Sequence, residues 1–116
     1  MHEMALMGEI IRLIESDAKE REIKKVEKVE LVVGDLSNAL PDALQMAFEF
    51  YKLQELDFLD SNVTLLIIRE KAKAKCISCD LEYEPDFRIA ICPICDAPSG
   101  KLIAGESFAI KSYTGI

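Results

Sequence analysis

The chain has 116 residues, 50% of them hydrophobic and 30% charged, and a formal net charge of −7. Length and balance suit one globular unit, or a domain with a small appendage, and exclude a disordered chain. The acidic excess would repel a polyanion, which argues against a nucleic-acid partner. Glu3, Glu9 and Arg12 interrupt the N-terminal apolar residues, and no basic region precedes them, so a signal peptide is not expected. No uncharged run approaches the length needed to cross a bilayer. A cytoplasmic location with reduced cysteines is therefore expected.

From about Met4 to Glu22 the pattern is helical. Met4, Met7, Ile11, Ile14 and Ala18 recur at three and four residues, and Leu6, Ile10 and Leu13 widen the stripe. Glu3 lies where an acid favours a helix N-terminus. Val26–Val33 reads as a strand with Val29, Leu31 and Val33 on one face, and Gly34-Asp35 and Ser37-Asn38 mark a turn. A second helix is expected from Pro41 to about Leu53, with Pro41 at its first position and Leu44, Phe48 and Tyr51 on one face. No Ser, Thr, Asn or Asp precedes Pro41, so the preferred side-chain cap is missing.

Val63–Arg69 reads as a strand apolar on both faces, which suits a central strand covered on both sides or partly covered by a partner. With the strand before it and the intervening helix it forms a βαβ-length unit. Lys71–Lys75 is read as a solvated strand edge or neck. Leu81–Tyr83 and Ile89–Ile91 are short strand candidates, Pro98–Gly100 a loop, and Glu106–Tyr113 a closing strand.

The four cysteines all fall between these elements, as Cys76-Ile-Ser-Cys79 and Cys92-Pro-Ile-Cys95. Two residues between cysteines let one turn aim both sulfurs at a point, and two such turns offer four thiolates at tetrahedral corners, which suits Zn(II). A pair of disulfides would need an oxidising compartment. A rubredoxin-like iron site is the other option, but Asp80 and Asp96 stand where rubredoxins carry glycine. A tetrathiolate zinc site leaves no coordination position for water or substrate, so it is structural. No phosphate-binding glycine loop and no nucleophile–histidine pair is present, and enzyme activity is not expected.

The one histidine, His2, adjoins the amino terminus. A residue there is ordinarily exposed and frayed. Yet the Met1 amine, the His2 backbone nitrogen and the His2 imidazole can close fused chelate rings around one metal ion. Such nitrogen donors favour square-planar Ni(II) or Cu(II). Glu3 can add its carboxylate or its amide nitrogen.

Met1-His2-Glu3 resembles the opening of the hydrogenase nickel-incorporation proteins, the HypA/HybF family. Val33-Gly34-Asp35-Leu36-Ser37, followed by a helix carrying Phe48-Glu49, resembles that family's second landmark, and the two cysteine pairs its third. The resemblance covers the whole chain. It implies a nickel metallochaperone, not an enzyme, serving maturation of the NiFe hydrogenase large subunit with the GTPase HypB. Urease maturation proteins are partners of some members, and a homodimer is compatible with it. It implies Ni(II) bound by His2 with Met1 and Glu3, and Zn(II) held by Cys76, Cys79, Cys92 and Cys95. Some relatives place an acid just before the second helix; Leu40 stands there in this chain, with Asp35 and Asp42 on either side as candidate extra ligands. The expected fold is α+β: a small β-sheet with two helices plus a four-cysteine zinc ribbon. The nickel-binding domain would span 1–70, completed by strand 106–116, and the zinc ribbon 71–105. The alternative is a zinc-ribbon protein-interaction adaptor without nickel transfer.

Overall fold

A computed structural model describes residues 2–85 and 90–116. Met1, expected as a nickel ligand, and Ile89, expected in a strand, lie outside the described residues. The order of elements is α1 (His2–Glu20), β1 (Val26–Gly34), α2 (Pro41–Leu53), β2 (Leu59–Glu70), β3 (Lys73–Cys76), β4 (Glu82–Tyr83), β5 (Gly100–Ala104) and β6 (Phe108–Gly115). The fold is α+β as the sequence implies, with two helices and two three-stranded sheets. Among the described residues no helix is long and apolar enough to cross a membrane.

The chain divides into two compact units. The first comprises 1–32, 39–68 and 109–116. Helix α1 buries Met7, Ile10, Ile11, Ile14 and Ala18, and α2 buries Leu44, Ala47 and Phe48. These residues follow the helical period that the sequence displays. Val26, Val29 and Leu31 of β1 and Leu59 and Val63 of β2 complete the core. Met7 is fully buried and serves as core filling. The Tyr51 hydroxyl donates to the Met4 carbonyl at 3.4 Å, tying α2 to α1. Gln45 Nε2 donates to the Leu65 carbonyl at 3.1 Å, tying α2 to β2.

The sheet order is β2-β1-β6. The Val26 amide donates to the Phe58 carbonyl at 2.8 Å, while the Asp35 amide donates to the Glu70 carbonyl at 2.9 Å. Low numbers pair with low and high with high, so β1 and β2 are parallel neighbours, and α2 is their crossover. Lys25 and Ile116 exchange amide-to-carbonyl bonds at 2.9 and 3.1 Å, which makes β6 antiparallel to β1.

Several expectations need correction. Helix α1 begins at His2 and ends at Glu20, two residues early at both ends, because Glu3 is anchored by tertiary contact and Glu22 adopts a left-handed φ of 60°. Strand β2 is an edge rather than a central strand. Its Leu66 is 45% exposed, so its second apolar face is open. Lys71–Lys75 is not an edge: most of it forms β3, the middle strand of the second sheet.

The second unit comprises 33–38 and 69–108. Its sheet has the order β4-β3-β5, antiparallel throughout. Residues Pro98–Ser99 are a loop, but Gly100 starts β5, a strand that the sequence reading omits. Ala90 and Ile91 carry no strand. Gly34 sits so close to residue 105 that a Cβ added to it would lie 2.1 Å from the Gly105 carbonyl oxygen. Gly105 itself has φ of +109°, a conformation that side chains disfavour. Beside this crossing the Glu70 carboxylate accepts the Gly105 amide at 2.6 Å, the Ser107 amide at 3.3 Å and the Ser107 hydroxyl at 3.1 Å. Asp35 pairs with Arg69 at 3.0 Å. The Gly34-Asp35 landmark thus has a packing explanation.

Candidate functional site

The two cysteine pairs form two knuckles built alike. In each, the amide of the residue after the second cysteine donates back to the carbonyl of the first: Asp80 to Cys76 at 3.0 Å, Asp96 to Cys92 at 2.8 Å. Both aspartates adopt left-handed backbone, with φ of 62° and 52°. Short Asx side chains tolerate that region, so these residues do the work of the glycine otherwise expected there. Cys76 and Cys92 are fully buried, while Cys79 and Cys95 are exposed.

The four sulfur atoms lie within 4.8 Å of one another. Cys76 and Cys95 are 3.8 Å apart, and Cys79 and Cys92 3.7 Å. A disulfide bond is about 2.04 Å, so these are thiols in van der Waals contact. A tetrahedron with metal–sulfur bonds of about 2.3 Å has edges of about 3.8 Å, which these two separations match. The residues therefore fit a divalent ion in a closed four-sulfur site.

Protonation supports the same conclusion. The Ser99 hydroxyl stands 3.1 Å from Cys76 Sγ. That contact, with the Cys79 and Ser78 amides, brings the Cys76 thiol down to about 6. For Cys79 the Leu81 amide favours the thiolate, but burial and the neighbouring Cys76 and Cys92 thiols raise it overall. Cys95 is pushed up to about 12 by Cys76 and Cys79 beside it and by partial desolvation of its sulfur within the cluster. Several thiolates this close repel one another, and a divalent cation removes that conflict by taking the place of the protons. Ser99, read from sequence only as part of a loop, is a contact of the sulfur cluster that the sequence reading missed. Nothing in its local pattern marks it; β5 brings it to the cluster.

The other predicted nickel ligands that the structure describes, His2 and Glu3, lie at the start of α1. His2 is its first helical residue, with a side chain 58% exposed. Glu3 is buried, and its Oε2 accepts the Leu40 amide at 3.2 Å. In a capping box a glutamate at the third helical position reaches back to the N-cap amide. Here Leu40 is the N-cap of α2, without a side-chain cap, and Glu3 supplies the carboxylate from another helix. The Leu40 amide and Glu3's own amide hold the Glu3 carboxyl below its ordinary range, against burial, with a smaller contribution from His2. His2 Nδ1 is 3.8 Å from the same carboxylate oxygen. Asp42 lies in the first turn of α2, and Asp35 is engaged by Arg69.

Comparison with known proteins decides the family. Residues 1–115 match the family described as hydrogenase/urease nickel incorporation, metallochaperone, hypA. The chain belongs to the HypA family. It is 38% identical over 116 residues to the hydrogenase maturation factor HypA of Moorella thermoacetica, covering 99% of both chains. It is 33% identical to that of Aquifex aeolicus, covering 97% of this chain and 95% of the other. The fold matches a solution structure of a HypA protein with a TM-score of 0.70 at 24% identity, over 100% of this chain and 97% of that one. It also matches the solution structure of the Ni metallochaperone HypA from Helicobacter pylori, with a TM-score of 0.66 at 23% identity and coverage of 98% and 97%. Members of this family are nickel metallochaperones for hydrogenase maturation, and this chain carries a four-cysteine group suited to a metal ion.

Proposed function

We propose that this chain binds Ni(II) at its N-terminus and delivers it during NiFe hydrogenase maturation, while a structural zinc ion holds its cysteine ribbon. Membership of the HypA family along the whole chain carries this reading. The ligands are the Met1 amine, His2 and Glu3. The first amides of a helix have no intrahelical acceptor, so the His2 backbone nitrogen at the head of α1 is free to lose its proton to a metal. Ni(II) accepts such an amide in a square-planar set. Glu3 is fixed by Leu40, whereas the His2 imidazole stands open to solvent. One fixed side and one open side suit a cargo ion that must be captured and then released.

Cys76, Cys79, Cys92 and Cys95 hold Zn(II), with their near-tetrahedral separations in support. Four protein thiolates leave no position for substrate, so the ribbon does no catalysis and the chain is not an enzyme. As a functional division the nickel-binding domain is 1–70 completed by 106–116 and the ribbon 71–105, although 33–38, 69–70 and 106–108 pack within the second compact unit. The working partners are the GTPase HypB and the hydrogenase large subunit. The family description also names urease, which makes urease maturation a second outlet. The work takes place in the cytoplasm.

Calorimetric titration of Ni(II) into protein with its native N-terminus tests the reading. A single tight site is expected, severely weakened in His2→Ala with zinc content unchanged, and Cys76→Ala should lose zinc. Equal nickel affinity in His2→Ala would refute the site, and a chain that takes up no nickel would instead be a ribbon adaptor.

A further inference from the structure

The outer face of the second unit's sheet reverses the charge of the chain. On β3, Ala74 and Cys76 are buried, so Lys73 and Lys75 point outward. On β5, Lys101 and Ile103 are exposed. The register sets Lys75 between Lys101 on β5 and Glu82 on β4. Side chains in such positions start about 5 Å apart, and like charges there destabilise the sheet. Lys73 is ion-paired with Glu82 at 3.3 Å. Among the described residues no carboxylate comes within ion-pair distance of Lys75 or Lys101.

The two lysines are flanked by apolar side chains. Ile77 is 74% exposed and Ile103 48%. Both line a shallow depression of about 380 Å³ together with Lys75, Lys101, Asp80 and the buried Cys76. Two lysines with no ion-pair partner among the described residues, one aspartate and two exposed isoleucines thus share one concave face, a local excess of positive charge on a protein of net charge −7.

We propose that this face docks a segment of a partner protein in which carboxylates alternate with aliphatic side chains. Carboxylates would neutralise the opposed Lys75 and Lys101, and an aliphatic side chain would cover Ile77 and Ile103. An acidic partner is attracted here and repelled by the rest of the surface, which fixes its orientation. A nucleic acid offers charge at every phosphate but no aliphatic side chain to cover Ile77 and Ile103, so a short acidic and aliphatic peptide is the better fit.

The test is an NMR titration of the full, zinc-loaded chain with the synthetic peptide Glu-Leu-Glu-Leu-Glu. Lys-Leu-Lys-Leu-Lys and a ten-nucleotide oligouridine serve as comparison probes. The acidic peptide should shift the amides of Lys75, Ile77, Lys101 and Ile103, and its affinity should fall as salt is raised. Lys75→Glu with Lys101→Glu should weaken it about tenfold or more and create binding of the lysine peptide. Zinc content verifies that this variant folds; should it not, the neutral Lys101→Gln must show the same loss in smaller measure. Shifts confined to other surfaces, equal binding of both peptides, or tighter binding of the oligouridine would overturn the proposal.

Discussion

Gly34→Ala gives a sharp test of the packing in the second unit, because two effects of opposite sign compete. In an open strand position, replacing glycine by alanine stabilises by about 0.5–1 kcal/mol, since the unfolded chain loses freedom. At Gly34 the new Cβ would lie 2.1 Å from the Gly105 oxygen, 2.4 Å from its carbonyl carbon and 2.9 Å from the Glu106 nitrogen. All three are backbone atoms, so no rotamer change relieves them. Ordinary contact requires a retreat of more than 1 Å, roughly, and overpacking of this kind costs about 1–3 kcal/mol. Retreat is also resisted by the Glu70 carboxylate, which grips the Gly105 amide. The net expectation is destabilisation by about 1–3 kcal/mol, on the order of 4 °C of melting temperature per kcal/mol. Urea unfolding followed by far-ultraviolet circular dichroism suits a chain with no tryptophan. A Gly34→Ala protein as stable as its parent, or more stable, would refute the close crossing.

Ser99→Ala removes the hydroxyl beside Cys76 and should weaken zinc binding about tenfold in competition with a chromophoric chelator, the range usual for groups that support metal ligands. Tyr113 donates its hydroxyl to Asp17, and burial together with that bond pushes it up to about 12. A raised folded value contributes stability present below the unfolded tyrosine value near 10 and lost as pH climbs toward 12, so the stability gap to Tyr113→Phe should close across that window in unfolding titrations. Glu70 is held below its ordinary range chiefly by the Gly105 amide, against burial. A depressed carboxyl contributes stability present above the unfolded value and lost as pH falls through the folded one, so the advantage over Glu70→Gln should vanish in acid.

Local chemistry made much of the fold legible. Pro41 fixed the start of α2, and the spacing of Leu44, Phe48 and Tyr51 carried it to Leu53, where the structure also ends it. The two cysteine pairs announced a four-sulfur centre, and the sulfurs do converge. What escaped the sequence reading depends on distant partners. Glu3 looked like a residue that favours a helix terminus, but its bond is to Leu40, 37 positions away. Leu66 and Ile68 suited either the second covered face of a central strand or a face partly covered by a partner; β2 is an edge, which excludes the first. Lys71–Lys75 looked like a solvated edge or neck because every second residue is lysine; the lysines are exposed, but Ala74 and Cys76 are the buried half of β3, a middle strand. Residues 100–104 show too short an alternation to declare a strand before β3 is known to pair with them.

The central claim is that nickel binds through the extreme N-terminus rather than through the cysteine ribbon. The most direct measurement is Ni(II) calorimetry on the native chain beside a chain with one residue added before Met1. The addition leaves His2, Glu3 and all four cysteines in place but removes the α-amine from the chelate. The account predicts that the extended chain loses tight nickel binding while its zinc content stays the same. Equal nickel affinity in both chains would contradict it.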